Sequence, residues 1–153
     1  MNIFTRTSRM AAILGGAILL LTPAFTLPAA AQAGGGQAPI MVAARLVAAS
    51  STGNTVSPEL ADVVPLLQET LRFTSYQLAC ARHFPLGERI VKLEKGLTLG
   101  ISKVENNECT VTVNRQGRPL VSMRVRLAPG HPVVVGSIPD ADGSSLFVVL
   151  TAK

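Results

Sequence analysis

Apolar positions change their spacing three times along the chain, and each change predicts an element. Near the start, Ala11 to Phe25 is an apolar run preceded by Arg6 and Arg9. From Ile40 to Ser50, Met41, Ala43, Arg45 and Val47 alternate with Val42, Ala44, Leu46 and Ala48. That period of two predicts a strand rather than an alanine-rich helix. Over "SPELADVVPLLQETLRF" the period becomes helical, because Leu60, Val63, Val64, Leu67 and Leu71 fall on one face. Ser57 is placed to cap this helix, Pro58 suits its first position and Glu59 its positive end. Pro65 lies within the pattern, removes a hydrogen bond and crowds the preceding turn, so a bent helix is expected.

Beyond Thr74 the period returns to two. "TSYQLACARHF" sets Tyr76, Leu78 and Cys80 on one face and Gln77, Ala79 and Ala81 on the other. Pro85–Gly87, Lys95-Gly96, Asn106-Asn107, Gln116-Gly117, Pro129-Gly130 and Asp140–Gly143 punctuate the rest as turns. Alternation is cleanest in "PLVSMRVRL": Val121, Met123, Val125 and Leu127 point inward, and Ser122, Arg124 and Arg126 point out. Short strands at this spacing predict an α+β fold. One kinked helix packs on an antiparallel β-sandwich, or partly open barrel, of about six to seven short strands.

The N-terminal pattern reads as a secretory signal peptide over residues 1–33, with Ala31-Gln32-Ala33 as the small-residue cleavage site. Its apolar core is shorter than the roughly 20 residues that span a bilayer. Residues 34–39 form a flexible lead-in, and residues 40–153 a single α+β domain. The mature protein is expected to be exported to the periplasm or the medium, with no membrane span once the signal is removed.

Composition then narrows the function classes. The chain carries 14 Lys+Arg and 9 Asp+Glu, and losing Arg6 and Arg9 leaves a mild excess of 3. With Phe73, Tyr76, Phe84 and Phe147 as the only aromatics after residue 33, there is little from which to build a stacking platform for bases or sugars. Nucleic acid is therefore not an expected partner. Cys80 and Cys109 are an even pair in an oxidising compartment and predict a disulfide, with two buried free thiols as the alternative.

Catalytic and metal constellations are sparse. His131 sits between Gly130 and Pro132 in a turn, and neither it nor His83 has a nucleophile poised beside it in the sequence. "DADG" (Asp140–Gly143) lacks the later oxygen ligands of a calcium loop and reads as a hairpin turn. No Cys-x-x-Cys or His-x-x-x-His spacing is present. The expectation is a chain that is not an enzyme and holds no metal or cofactor. Arg118, Arg124 and Arg126, joined by Arg115, form a candidate basic face for an acidic partner.

"SMRVRLAPGHPVVVGS" followed by "LFVVLTAK" resembles the closing β-segment of bacterial secretins, in which an apolar strand meets a Gly-rich turn and a last strand ends near a Thr. The family commonly closes on Leu-Thr-Pro, whereas here Ala152 follows Thr151, and the longer Pro-Gly lip signature is absent. The resemblance implies a small periplasmic β-domain beside secretion or pilus machinery. Together these readings give a non-catalytic binding or assembly module of the bacterial envelope whose partner is another envelope protein. The alternative is a secreted inhibitor or ligand-binding β-domain, presenting loops Pro85–Gly87, Asn106–Asn107 and Pro129–Pro132.

Overall fold

The computed structural model describes residues 38–153; the expected signal peptide and most of the lead-in lie outside the described residues. Eight strands form two four-stranded antiparallel sheets. One sheet runs in the order β2-β1-β8-β7, built from β1 (Met41–Ser50), β2 (Ser75–Pro85), β7 (Val133–Pro139) and β8 (Ser145–Ala152). The other runs β3-β4-β5-β6, from β3 (Arg89–Lys92), β4 (Leu97–Glu105), β5 (Glu108–Arg115) and β6 (Arg118–Arg126). The two are not joined by strand pairing, so the fold is an α+β sandwich rather than a barrel.

The first sheet is covered twice. Val42, Ala44 and Leu46 of β1 and Leu146, Val148 and Leu150 of β8 face the second sheet and share the main core with Leu99, Val111 and Val113. The opposite faces of the same strands present Val47, Ala49, Phe147 and Val149 to Leu60, Val63 and Leu67 of the helical segment. Residues of β8 from Leu146 to Ala152 are consequently all buried, which is why "LFVVL" reads as a continuous apolar run and not as an alternation.

The helical segment is split rather than bent. A single 3-10 turn covers Pro58–Leu60, and helix α1 begins only at Val64 and ends at Thr70. Pro65 lies in the first turn of α1, where its missing N–H costs nothing, so the chain restarts the helix around it. Ser57 does not cap by its side chain; its Oγ accepts a hydrogen bond from the Leu78 N–H at 2.9 Å. The buried Tyr76 hydroxyl donates to the carbonyls of Leu67 and Leu71 and ties the end of α1 to β2. Arg45 of β1 clasps Asp62 through two contacts, at 2.5 and 2.8 Å. That fork holds the Asp62 carboxyl below its ordinary range.

Two bulges in the first sheet correct the simple alternation there. Leu46 pairs with Cys80, but Val47 pairs with Leu78, leaving Ala79 as the extra residue of β2. Tyr76 and Leu78 therefore face the helix, and Cys80 faces the sandwich core instead of sharing their side. In β7, Val135 pairs with Val148 and Ile138 with Leu146, with Gly136 at φ +78 in the interval. The left-handed backbone there suits glycine, and the bulge lets Val135 and Ile138 both face the core.

Cys80 and Cys109 are both buried free thiols. The expected bridge is not formed: Cys80 on β2 of one sheet and Cys109 on β5 of the other are not within disulfide distance. Burial pushes the Cys109 thiol up, away from the reactive thiolate form.

Candidate functional site

A sandwich leaves four strand edges, and each must be paired, shortened or interrupted to avoid unwanted association. The edge of β2 is occupied in part by the chain entering the helix: the Tyr76 N–H donates to the Thr55 carbonyl at 2.8 Å, and the Ser57 N–H to that of Tyr76 at 2.9 Å. Strand β3 is only four residues long. Strand β7 is broken by the Gly136 bulge, follows Pro132 and ends on Pro139.

Strand β6 is different. It is a nine-residue edge, and among the described residues no strand pairs with its far side. Pro119 and a register shift that leaves Leu120 unopposed interrupt only its beginning. From Val121 to Arg126 it runs uninterrupted beside β5. Its inner side is not fully closed either: Met123 is 38% exposed, although its cross-strand partner Val111 is fully buried. Near the start of this stretch, Val121 reaches the Gly136 bulge of β7 across the opening between the sheets, where a Cβ on Gly136 would lie 3.1 Å from Val121 Cγ2.

The arginines of the expected basic face separate here. Arg124 and Arg126 lie on the outer face, opposite Thr110 and Glu108. Each reaches the one carboxylate of Glu108, Arg124 at 3.1 Å and Arg126 at 3.4 Å, and both stay about two-thirds exposed. Arg118 is brought elsewhere. It pairs with Arg115 at the hairpin end of β6, and the shift at Leu120 puts it on the other side of the strand. Arg115 turns toward the first sheet, where its Nη1 donates to the Pro139 carbonyl at 3.2 Å.

A second feature, which the sequence reading missed, occupies that end of the sandwich. Lys95, in the turn between β3 and β4, pairs with Asp140 and, at 3.6 Å, with Asp142 in the turn between β7 and β8. The bond to Asp140 holds the Lys95 ammonium above its ordinary range and the Asp140 carboxyl below its own. Asp142 is lowered chiefly by the Ser144 hydroxyl, which donates to it at 2.6 Å, and by the Ser144 N–H. Beside this clasp is a recess of about 280 Å³ lined by Ala48, Ser50, Thr52, Ser75, Gln77, Lys95, Asp142 and Ser144. Opposite charges in two turn sequences were the available signal, but the turns lie 45 positions apart.

The loops expected to form a binding tip gather at the opposite end. The Leu86 N–H donates to the Ile40 carbonyl, the Gly130 N–H to that of Ala152, and the Leu127 N–H to that of Asn107. His131 belongs to this end, whereas Asp140 and Asp142 lie beyond the far end of β7, so the strand separates them. His83 pairs with Ala43 on β1 and is exposed. Among the described residues no group of three or more His, Cys, Asp and Glu side chains could hold a metal ion, and no helix is long and apolar enough to cross a membrane. No family model, curated relative or solved structure matches this chain.

Proposed function

We propose that this chain is a non-catalytic binding or assembly module of the bacterial envelope, exported by its N-terminal segment, and that it takes its partner by strand addition at β6. One observation carries this reading: β6 runs open and in register from Val121 to Arg126, where β3 is short, β7 is broken by its bulge, and β2 carries a bulge and is occupied at its start. An added strand would satisfy the outward main-chain groups of Val121–Arg126, and side-chain contacts would set its register. The resemblance of the C-terminal segment to secretins supports a partner in secretion or pilus machinery. The mechanism is stoichiometric: main-chain hydrogen bonds supply affinity, and the arginines steer encounter.

The test is site-specific photo-crosslinking in the host. A crosslinker at Leu120 or Met123 should trap one envelope protein, and the same group at Ile90, which is more exposed on β3, should not. Equal capture from both strands, or none from β6, overturns the reading.

The recess beside Lys95 favours a second reading, a secreted ligand-binding β-domain. It predicts that the chain is recovered from the medium as a monomer and that β6 traps nothing.

A further inference from the structure

We infer that the segment added to β6 is an extended chain of alternating apolar and acidic residues, supplied by a different protein and not by a second copy of this one. The inference rests on the strand-addition reading and specifies its partner. Along Val121–Arg126 the two sides of β6 ask for different chemistry. Val121, Met123 and Val125 lie over the core, opposite Val113, Val111 and Cys109. Met123 is still partly open to water there, so a neighbouring strand would bury it under apolar side chains. Ser122, Arg124 and Arg126 lie on the outer face.

Residues directly opposite on adjacent antiparallel strands bring their Cβ atoms to about 5 Å. A new strand beside β6 would therefore set every second side chain against Ser122, Arg124 and Arg126. Glu108 shows that carboxylates fit this row, because it meets both guanidiniums from the β5 side. It is one carboxylate for two arginines, and each guanidinium carries five donors. The outer-face neighbours Thr110 and Thr112 bring no charge. Positive charge is thus left unbalanced on the side away from β5, and carboxylates spaced two residues apart would meet it in charge-assisted pairs.

A second copy fits poorly. Pairing two β6 strands about a two-fold axis would lay the arginines of both copies on one outer face, and like charges opposite one another on a sheet are destabilising. The sequence of β6 contains no acidic residue to answer them.

The experiment uses the isotopically labelled chain purified from its host. Three capped peptides are titrated and followed by backbone amide shifts: alternating valine and glutamate, alternating valine and lysine, and alternating valine and threonine. The valine–glutamate peptide should shift the Val121–Arg126 amides, bind about tenfold more tightly than the other two, and weaken as salt is raised. In the double variant Arg124→Glu, Arg126→Glu the preference should pass to the lysine peptide. Equal binding of all three at β6 overturns the acidic partner and leaves strand addition standing. Shifts elsewhere, or none, overturn it too, and strand addition falls with it only if the Leu120 and Met123 crosslinkers also capture nothing. A dimer of the free chain that survives the double variant overturns the exclusion of a second copy.

Discussion

The two sheets solve burial differently, and the contrast explains most of this molecule. The sheet of β1, β2, β7 and β8 lies between the helical segment and the other sheet, and its central strands are apolar on both faces. The sheet of β3 to β6 has one covered face and one wet face. Its outer positions Thr98, Ser102, Thr110, Thr112 and Ser122 carry hydroxyls, and its inner positions Leu97, Leu99, Ile101, Val111 and Val113 are buried. A doubly covered sheet gains apolar burial and has little surface to offer a partner. A singly covered sheet keeps a face and an edge available, and the open edge is on that sheet.

The largest break in this comparison is expected from truncating the doubly covered sheet. Leu150→Ala removes a fully buried side chain of β8 and should cost about 3–4 kcal/mol in denaturant unfolding. An equal loss from Thr112→Ala on the wet face would show that the two sheets are not distinguished by burial. Next is Gly136→Ala, which places a Cβ at a left-handed position and 3.1 Å from Val121. It should cost about 1–2 kcal/mol and narrow the range of β7 bulge geometries visible in amide spectra.

Asp62→Ala leaves Arg45, whose side chain is only 12% exposed, without its carboxylate. Asp62 itself is half exposed, so the expected loss is about 1 kcal/mol, read as a lower unfolding midpoint. A change indistinguishable from zero would mean that the clasp does not fasten the helical segment. Smallest is Thr112→Val, within about 0.5 kcal/mol of the parent, because its hydroxyl faces water and shares only an outer-face contact with Ser122 at 3.1 Å.

The clasps also set a pH response. Asp62, Asp140 and Asp142 have carboxyls lowered in the folded chain, so their contribution is present above the ordinary carboxylate range, about pH 4, and is lost as pH falls through their lowered values. Lys95 is raised, so its contribution is present below about pH 10.4 and is lost as pH rises through its folded value. Thermal unfolding followed against pH should show an acid limb that becomes shallower in Asp62→Asn. An unchanged limb would assign acid sensitivity to other carboxylates.

How far the sequence reading reached follows the same division. On the wet sheet, β4, β5 and β6 announce themselves by alternation, and the inward set Val121, Val125 and Leu127 lies where the period placed it. On the covered sheet the period is diluted. A bulge adds one residue without changing composition, so nothing in "YQLACAR" marks Ala79 as the extra residue that turns Cys80 to the other face. The same event at Leu120 parts Arg118 from Arg124 and Arg126. Pro65 was readable as a disturbance; its position in the first turn of a restarted helix depends on Leu60, Val63 and Leu67 all reaching the same sheet. The Lys95–Asp140 clasp was beyond reach, since it requires knowing that two turns from different sheets share one end.

Strand β1 pairs along most of its length with β8, so that Val42 meets Ala152 and Ala49 meets Ser145. The centre of the covered sheet is therefore assembled from the first and last strands of the domain. Contacts so distant in sequence pay their loop-closure entropy before any return. Until β8 is made, β1 can pair only with β2, and its other edge stays unmatched. A chain cut back before Ser145 is therefore expected to leave the covered sheet without its centre.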